Sequence, residues 1–355
     1  MKRAEAYAPG RVELLGNHTD YNQGVVLGAA IDRGVRVTGE SRDDGRIVIE
    51  STMMGRAEIT PGELLPRTEQ PWANYVLGVA HELNEARIPV HGFAAQIDSD
   101  VPSGSGLSSS AAFEVSTALF LLKLTGAELP PMEIARLCQR AEHKFVGVQS
   151  GLLDQVCSIF GKADQVVHFD ARTEEVRVVP FPPGLALVIT ESGQTRELVS
   201  GLYNQRREET RAAADALGVP ALRDASVAML SSLPPLLQRR AAHIVGENER
   251  VERAVDLLGR GDGAGFGALM NESHESSRTN FENSTRELDL LVRIARELPA
   301  VLGARLTGGG FGGATVTLCR QEVGHDVAAE LERRYAEQTT HKARAFVCRI
   351  AAGAV

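Results

Sequence analysis

The amino-acid sequence predicts an α+β protein of two domains. Its 355 residues exceed what one small domain needs and suit two, with ample material for a core. Segments that alternate like β-strands are concentrated before residue 190, and long segments with helical periodicity dominate after it. Residues 181–184 read Phe-Pro-Pro-Gly, a composition typical of a boundary. We therefore expect one domain at 1–182 and a second at 183–355.

Composition and charge exclude several classes of protein. Lys plus Arg number 38 and Asp plus Glu 46, and the resulting net charge of −8 should repel nucleic acid and anionic membranes. The start of the chain lacks the apolar core of a signal peptide, and no apolar run reaches membrane-spanning length. The 4 cysteines lack Cys-x-x-Cys spacing, which fits buried thiols in a reducing compartment. We expect a cytoplasmic protein with no nucleic-acid or membrane partner.

A polar loop near the start of the chain is the first candidate for a binding site. Residues 11–15 alternate as a strand, residues 16–24 are rich in turn formers, and residues 25–31 resume a buried strand. The loop contains the hydrogen-bonding side chains His18, Asp20, Tyr21 and Asn22. Such groups suit a polyhydroxylated ligand, because each hydroxyl both donates and accepts. A solvated hairpin loop is the alternative, but the position between two core strands favours binding.

Strands and one helix follow this loop. Alternation predicts strands at 35–38, 46–50, 56–60 and 92–98. Residues 72–86 have the periodicity of a helix.

A segment rich in glycine and serine, residues 101–115 (VPSGSGLSSSAAFEV), is a candidate phosphate site. Gly104 and Gly106 allow backbone N–H groups to approach a ligand closely. The three serines at 108–110 stand where apolar residues with helical spacing begin, and a helix N-terminus attracts anions. No lysine follows the glycines, so this is not a P-loop, and positive charge must come from the helix end and a metal ion. A serine-capped loop without a ligand remains the alternative.

Two carboxylates lie beside apolar segments further along the chain. A helix predicted from residue 131 carries Glu142 next to its apolar stripe. Asp154 stands between apolar residues on both sides. An aspartate in such surroundings is either a structural carboxylate or a catalytic base held near a cation, and the pattern alone leaves both open. Strands are predicted at 166–169, 176–179 and 185–189.

The second half of the chain is mainly helical and ends with a glycine-rich turn. Helices are predicted at 197–217, which carries Tyr203, and at 236–258, 265–278 and 286–297. Residues 303–318 indicate a strand, a turn and a second strand. Their glycines formally match a dinucleotide-binding pattern, but that site requires a helix where this sequence alternates as a strand. The turn forms either a wall over a ligand or a mobile hairpin.

Three of these segments combine into a recognisable pattern. Residues 11–22 (RVELLGNHTDYN) resemble a sugar-kinase signature, residues 102–111 (PSGSGLSSSA) an ATP-phosphate loop, and residues 306–313 (LTGGGFGG) a C-terminal glycine motif. Three motifs in this order are far more specific than any one of them. Over nearly its whole length the chain resembles the galactokinases of the GHMP small-molecule kinase superfamily.

The resemblance implies a ribosomal-S5-like N-terminal domain, a ferredoxin-like C-terminal domain and an active site between them. It implies transfer of the γ-phosphoryl group of ATP to the anomeric hydroxyl of an aldohexose, most simply galactose, with Mg²⁺ as cofactor. Asp154 would act as base or orienting group for that hydroxyl, while Arg11 keeps it ionised and steadies the transferred charge. Ser110 and Glu142 would hold Mg²⁺.

The resemblance also implies the contacts to each substrate. The implied sugar contacts are Asn17, His18, Asp20, Gly151, Tyr203 and Gly310. The implied ATP contacts are Trp72, Gly104, Ser105, Gly106, Leu107, Ser108, Ser109 and Ser110. The expected partners are the sugar and ATP alone, for a monomer or weak homodimer. A sugar- and ATP-binding sensor, which the family includes, is disfavoured because the base and metal ligands are present.

One position departs from the family pattern. The motif in galactokinases usually reads Gly-Glu-His-Thr-Asp-Tyr, with the glutamate at the C6 end of the sugar, and here that position is Asn17. An amide forms a weaker bond to a C6 hydroxyl and does not repel an anion. We therefore expect a high KM for galactose, or a preference for a C6-altered sugar such as galacturonate or N-acetylgalactosamine, unless His18 takes over the contact.

Overall fold

A seven-stranded β-sheet is formed by the first half of the chain. The fold is that of a computed structural model, which describes residues 2–60, 62, 64–102, 106–194 and 199–355. The strands are β1 (Arg3–Leu15), β2 (Val25–Ser41), β3 (Ile47–Ser51), β4 (Gly55–Ile59), β5 (Phe93–Ser99), β6 (Gln165–Asp170) and β7 (Glu175–Pro180). Within the described residues their order is β4-β3-β5-β2-β6-β7, and β1 pairs with β2. Each neighbouring pair is antiparallel except β3 with β5.

Strand β1 carries two residues of the polar segment on one face. It is bulged between Pro9 and Arg11 and again between Glu13 and Leu15, so Arg11 and Glu13 lie in the regular stretch between the bulges. Side chains alternate across a strand, and the intervening Val12 is fully buried in the core. Arg11 and Glu13 therefore point to the same side of β1.

Four helices lie over this sheet in the described part of the first half. They are α1 (Asn74–Glu85), α2 (Ser109–Thr125), α3 (Pro131–Ala141) and α4 (Leu153–Phe160). Helix α2 packs against β1, β2, α1 and α3, and most of its side chains are buried. It begins directly after Ser108, which confirms the predicted helix start at the serines. It ends where Gly126 takes a left-handed conformation, φ +81°, that glycine adopts without strain.

A four-stranded antiparallel sheet belongs to the second half. The described strands are β8 (Leu185–Glu191), β9 (Val301–Thr307), β10 (Ala314–Arg320) and β11 (Arg344–Cys348), in the order β11-β8-β10-β9. The helices are α5 (Val199–Leu217), α6 (Pro235–Gly259), α7 (Gly263–Ser276), α8 (Arg286–Arg296) and α9 (Gly324–Ala336). The α+β class is confirmed, and the predicted helices match within a few residues. Helix α9 and strand β11 are not among the predicted elements.

One hydrophobic cluster joins the two halves. It contains Val12, Leu14 and Leu27 from the first half and Leu187, Ile189 and Phe266 from the second. The end of the chain also returns to the first sheet, where the backbone N–H of Val355 donates to the carbonyl of Tyr7 at 2.9 Å. Residues 181–184 connect the two sheets. The division into domains at residues 182 and 183 stays a prediction.

Two further expectations concern the helices and the cysteines. Among the described residues, no helix combines the length and apolar character needed to cross a bilayer. Cys138, Cys157, Cys319 and Cys348 are buried free thiols, as their spacing predicts.

Candidate active site

Most of the predicted site residues converge on one cavity of about 440 Å³. It lies where β1, the loop after β1, the starts of α2 and α4, and the glycine turn after β9 meet. Its wall contains Arg11, Glu13, Asn17, His18, Asp20, Tyr75, Gly106, Ser108, Ser109, Ser110, Glu142, Val148, Ser150, Gly151, Leu153, Asp154, Tyr203 and Gly309. A larger groove of about 890 Å³ lies along α8, and none of the predicted site residues lines it.

An ion pair between Arg11 and Asp154 stands at one end of the cavity. Arg11 on β1 donates from Nε to Asp154 Oδ1 at 2.7 Å, and its Nη2 lies 2.7 Å from the same oxygen. Its Nη1 donates to the carbonyl of Gly106 at 2.5 Å. The Arg11 side chain is 6% exposed and that of Asp154 is 27% exposed. The arginine is thus a buried support, and the carboxylate on the first turn of α4 faces the cavity.

Ser108 holds the second oxygen of the same carboxylate. Its hydroxyl donates to Asp154 Oδ2. Ser108 has a left-handed backbone, φ +55°, which is uncommon outside glycine and places its side chain toward α4 instead of over the end of α2. Both oxygens of Asp154 are therefore oriented by protein groups before any substrate binds.

The N-terminal end of α2 lies beside this pair. Ser109 and Ser110 form its first turn and face the cavity. Gly104 and Ser105 of the predicted phosphate loop lie outside the described residues. Leu107 is fully buried, and its carbonyl accepts from the backbone N–H of Arg11 at 3.0 Å, so this residue joins the loop to β1.

Asp20 and Gly151 fit together where the loop after β1 borders the cavity. A Cβ atom added to Gly151 would lie 1.7 Å from Asp20 Oδ2, so glycine at this position makes room for the carboxylate. Asp20 Oδ1 accepts from the backbone N–H of Tyr21 at 2.9 Å. Burial, and then the charge of Asp154, raise the pKa of Asp20 to about 6. Because Gly151 has no side chain, it leaves the space that the Asp20 carboxylate occupies.

His18 belongs to an aromatic cluster at the same side. Its Nε2 donates to the carbonyl of Gly309 at 3.0 Å, because a carbonyl only accepts, and its Nδ1 then accepts from the Tyr21 hydroxyl at 2.6 Å. Burial lowers the pKa of His18 to about 4, so the ring is neutral. The Tyr203 ring lies 4.8 Å from the His18 ring, centroid to centroid. Both nitrogens of His18 are occupied, which leaves neither for a C6 hydroxyl.

Asn17 lines the cavity, but its side-chain amide is held in a buried network of hydrogen bonds. Its Nδ2 donates to Glu13 Oε1 at 2.9 Å and to the carbonyl of Gly308 at 2.8 Å. Its Oδ1 accepts from Asn283 Nδ2 at 2.8 Å, and the residue is 0% exposed. The residue at its side, Glu13, is 5% exposed and lines the cavity.

Glu13 is a site residue that the sequence analysis missed. Its ion-pair partner is Arg305 on β9, with 3.0 Å between Arg305 Nη2 and Glu13 Oε1. The signal was present in the strand alternation, because Glu13 follows Arg11 by two positions and must share its face.

Two other predicted contacts lie outside the cavity wall. Trp72 stands just before α1 and packs against the core of the first half, and Tyr75 on the first turn of α1 reaches the cavity instead. Gly310 has φ +77° and its α-carbon faces the carbonyl of Asn283, whereas Gly309 lines the cavity.

Glu142 and Ser110 could hold a divalent cation. Glu142 begins a π-helical turn after α3, and the Ser150 hydroxyl donates to its Oε2. Burial raises the pKa of Glu142 to about 7, and the nearby charge of Asp154 acts in the same direction. The described residues include no cluster of three or more His, Cys, Asp or Glu suited to a metal. A carboxylate and a hydroxyl are nevertheless fitting donors for Mg²⁺, which takes few protein ligands when phosphates complete its shell.

Comparison with known proteins places the chain in a class. Residues 74–162 match the family model described as GHMP kinases N terminal domain, and residues 254–337 match GHMP kinases C terminal. Residues 2–40 match the model described as galactokinase galactose-binding signature. Mevalonate kinase of Methanococcus jannaschii has the same fold, with a TM-score of 0.73 at 20% identity over 98% of each chain. Fold and site together are those of a GHMP small-molecule kinase.

Relatives of higher identity narrow this class. Galactokinase of Roseiflexus sp. (strain RS-1) is 41% identical over 98% of this chain and 91% of the relative. Human galactokinase is 40% identical over 94% of this chain and 88% of its own. The structure of Lactococcus lactis galactokinase complexed with galactose superposes with a TM-score of 0.95 at 31% identity, over 100% of this chain and 95% of that one. The chain belongs to the galactokinase family, and it is a phosphotransferase that acts on a sugar hydroxyl.

Proposed function

We propose that the protein transfers the γ-phosphoryl group of ATP to the anomeric hydroxyl of galactose. The observation that carries the proposal is the partly exposed Asp154 carboxylate, held by Arg11 and facing the cavity beside the serines that begin α2. The similar galactokinase structure contains galactose, which supports this choice of sugar. Phosphoryl transfer depends mainly on positioning and electrostatics, and the site supplies both from short, preorganised contacts.

Asp154 would receive or orient the proton of the attacking hydroxyl. The sugar oxygen forms a bond to the γ-phosphorus, the bond to the bridging oxygen of ADP breaks, and the hydroxyl proton passes to the carboxylate. Arg11 would hold the carboxylate in place through its Nε and Nη2 atoms. Its positive charge would also stabilise the negative charge that develops on ADP and on the transferred phosphoryl group. Ser108 must give up Oδ2 of Asp154, or share it, when the hydroxyl arrives.

The serine-rich start of α2 would bind the phosphates of ATP. Unpaired backbone N–H groups and the positive helix end favour an anion there, and Ser109 and Ser110 face the cavity at that point. Ser110 and Glu142 would hold Mg²⁺, which neutralises charge on the β- and γ-phosphates when bound. Gly104 and Ser105 stay ATP contacts predicted from the sequence.

Asp20 and the cluster of His18 and Tyr203 would bind the sugar ring. The Asp20 carboxylate would accept from hydroxyls of the sugar, and the rings of His18 and Tyr203, tilted by 36° to each other, would offer an apolar wall for the C–H face of the sugar. We further propose a cytoplasmic enzyme, monomeric or weakly dimeric, that needs no nucleic acid or membrane. The buried free thiols support this location.

A coupled assay of ADP release tests the proposal. The purified chain would be given Mg-ATP and, in separate reactions, galactose, galacturonate, glucuronate, N-acetylgalactosamine and glucose. Turnover should be fastest with galactose and absent without Mg²⁺. Binding of galactose and ATP without turnover would indicate a sensor and contradict the proposal.

A further inference from the structure

We propose that Glu13, and not Asn17, accepts a hydrogen bond from the C6 hydroxyl of the sugar. It thereby selects a neutral hexose over a sugar with a carboxylate at C6. The inference rests on the proposed galactose 1-kinase activity and deepens it. It replaces the expectation, drawn from Asn17, that the site has lost its acidic acceptor at this end of the sugar.

The relative exposure of the two side chains supports this assignment. Asn17 is 0% exposed, and both of its amide hydrogens are used, one by Glu13 Oε1 and one by the carbonyl of Gly308. Both residues line the cavity, but Glu13 is 5% exposed. Within the described part of the chain, the side-chain hydrogen bonds to Glu13 end on Oε1. Oε2 is therefore the oxygen available to a ligand.

Strand geometry places Glu13 at the far end of the sugar from the reacting hydroxyl. Arg11 and Glu13 are two residues apart on one face of β1, a separation of roughly 7 Å. Arg11 holds Asp154, where the anomeric hydroxyl must lie. A hexose that presents its anomeric hydroxyl to Asp154 then extends along β1 toward Glu13, and C6 is carried at that end of the ring.

The carboxylate is also held rigidly, as a specificity group must be. The Glu13 backbone N–H donates to Thr307 Oγ1 at 3.0 Å, and the Thr307 hydroxyl donates back to the Glu13 carbonyl at 3.0 Å. Arg305 and Asn17 fix Oε1 at 3.0 and 2.9 Å. Asn17 and Arg305 are thus positioning residues, and the acceptor that contacts sugar is Glu13.

An acceptor-only carboxylate has a defined chemical preference. It forms a charge-assisted hydrogen bond with a hydroxyl, gains nothing from a C6 methyl group, and repels a C6 carboxylate. Burial raises the pKa of Glu13 to about 7, so assays at pH 8 keep it mainly ionised.

The test compares Glu13→Gln with the wild type on galactose, 6-deoxygalactose, 4-deoxygalactose and galacturonate at pH 8. For galactose, the variant should have a KM roughly 10- to 100-fold higher with kcat little changed, as expected when a charge-assisted hydrogen bond becomes neutral. For 6-deoxygalactose the KM of the two enzymes should agree within about 2-fold, because no C6 hydroxyl is present to be read. Galacturonate should be a better substrate for the variant than for the wild type.

A matched control separates recognition from general damage to the site. Glu247 is another buried carboxylate nearby, but it accepts from the backbone N–H groups of Gly16 and Asn17 and does not line the cavity. Glu247→Gln should change KM for galactose and 6-deoxygalactose by the same factor. Asn17→Ala should raise KM for galactose and leave KM for 6-deoxygalactose unchanged, which a merely structural role would not do.

Several outcomes would overturn the inference. Equal losses on galactose and 6-deoxygalactose in Glu13→Gln would mean that Glu13 does not contact C6, and a difference that follows 4-deoxygalactose would move the contact to C4. If the variant fails to fold, the wild type alone tests the inference. Equal wild-type KM values for galactose and 6-deoxygalactose would exclude recognition of the C6 hydroxyl. Absence of any wild-type turnover with galactose would instead contradict the proposed function, so the two failures are distinguishable.

Discussion

Two buried ion pairs occupy the same cavity and differ in how much of each carboxylate is open. In the pair of Arg11 with Asp154, the carboxylate side chain is 27% exposed, whereas in the pair of Arg305 with Glu13 it is 6% exposed. In the proposed reaction, the open carboxylate is the group that the attacking hydroxyl approaches and that receives or orients its proton. The closed one is fixed by Asn17, Arg305 and its own backbone, which suits a group that only recognises. The comparison separates a reaction end from a recognition end.

The largest expected effect comes from placing a second charge at the recognition end. Asn17→Glu replaces the donor that faces Glu13 Oε1 at 2.9 Å with an acceptor-only carboxylate. It should be less stable than the matched variant Asn17→Gln, which adds the same bulk without charge, by about 3 kcal/mol or more. Urea denaturation of both variants measures the difference, which should shrink at pH 5 as the carboxyls protonate. Equal stabilities at pH 8 would mean that Asn17 is not held as the structure shows.

At the reaction end we expect loss of rate without loss of binding. Asp154→Asn should lower kcat by about 100-fold or more while the affinities for galactose and ATP stay near those of the wild type. Asp164→Asn is the matched control, because Asp164 is exposed and has a left-handed backbone, φ +57°, that asparagine tolerates. Steady-state kinetics and calorimetric titration would show this. A variant at position 154 with the wild-type kcat would remove the carboxylate from the chemistry.

A smaller effect is expected where the two ends meet at Asp20. Gly151→Ala would bring a methyl group within 1.7 Å of the present Asp20 Oδ2, so the carboxylate must rotate away. KM for galactose should rise roughly 10-fold, the size of one hydrogen bond to a charged group. Gly201→Ala on α5 is the control, because an added Cβ there meets nothing within 4 Å. An unchanged KM in Gly151→Ala would show that Asp20 does not bind the sugar.

The smallest expected effect is on stability and its dependence on pH. Burial raises the pKa of Glu142 from 4.5 to about 7. The folded state then binds this proton more tightly than the unfolded state, so the free energy of unfolding falls as pH rises from about 4.5 to about 7. Glu142→Gln should be more stable than the wild type by about 1 kcal/mol at pH 8. Thermal unfolding at pH 5 and pH 8 checks this, and the same stability difference at both values would contradict it.

The sequence predicts the fold well, because the signals for strands and helices are local. Alternation and periodicity indicate the strands and helices. The predicted start of α2 at the serines is confirmed for the same reason. The roles of Arg11 and Asp154 come only from the family resemblance, and the structure pairs the two residues although they are 143 positions apart.

The recognition end could not be predicted in the same way, because long-range contacts decide it. Asn17 turns inward through Asn283 and Gly308, which are 266 and 291 residues away. Glu13 gains its partner Arg305 from β9, on the other sheet. The alternation along β1 did place Glu13 beside Arg11, but only the fold shows that the carboxylate lies in the cavity wall.

The position of the phosphate on the product tests the two-end account most directly. The wild type, incubated with galactose and Mg-ATP, would yield a sugar phosphate whose phosphorus NMR signal reports the carbon it is attached to. Transfer beside Asp154, with C6 held at Glu13, predicts galactose 1-phosphate, whose phosphorus couples to the single anomeric proton. A signal coupled to the two C6 protons, or ADP without any sugar phosphate, would contradict the account.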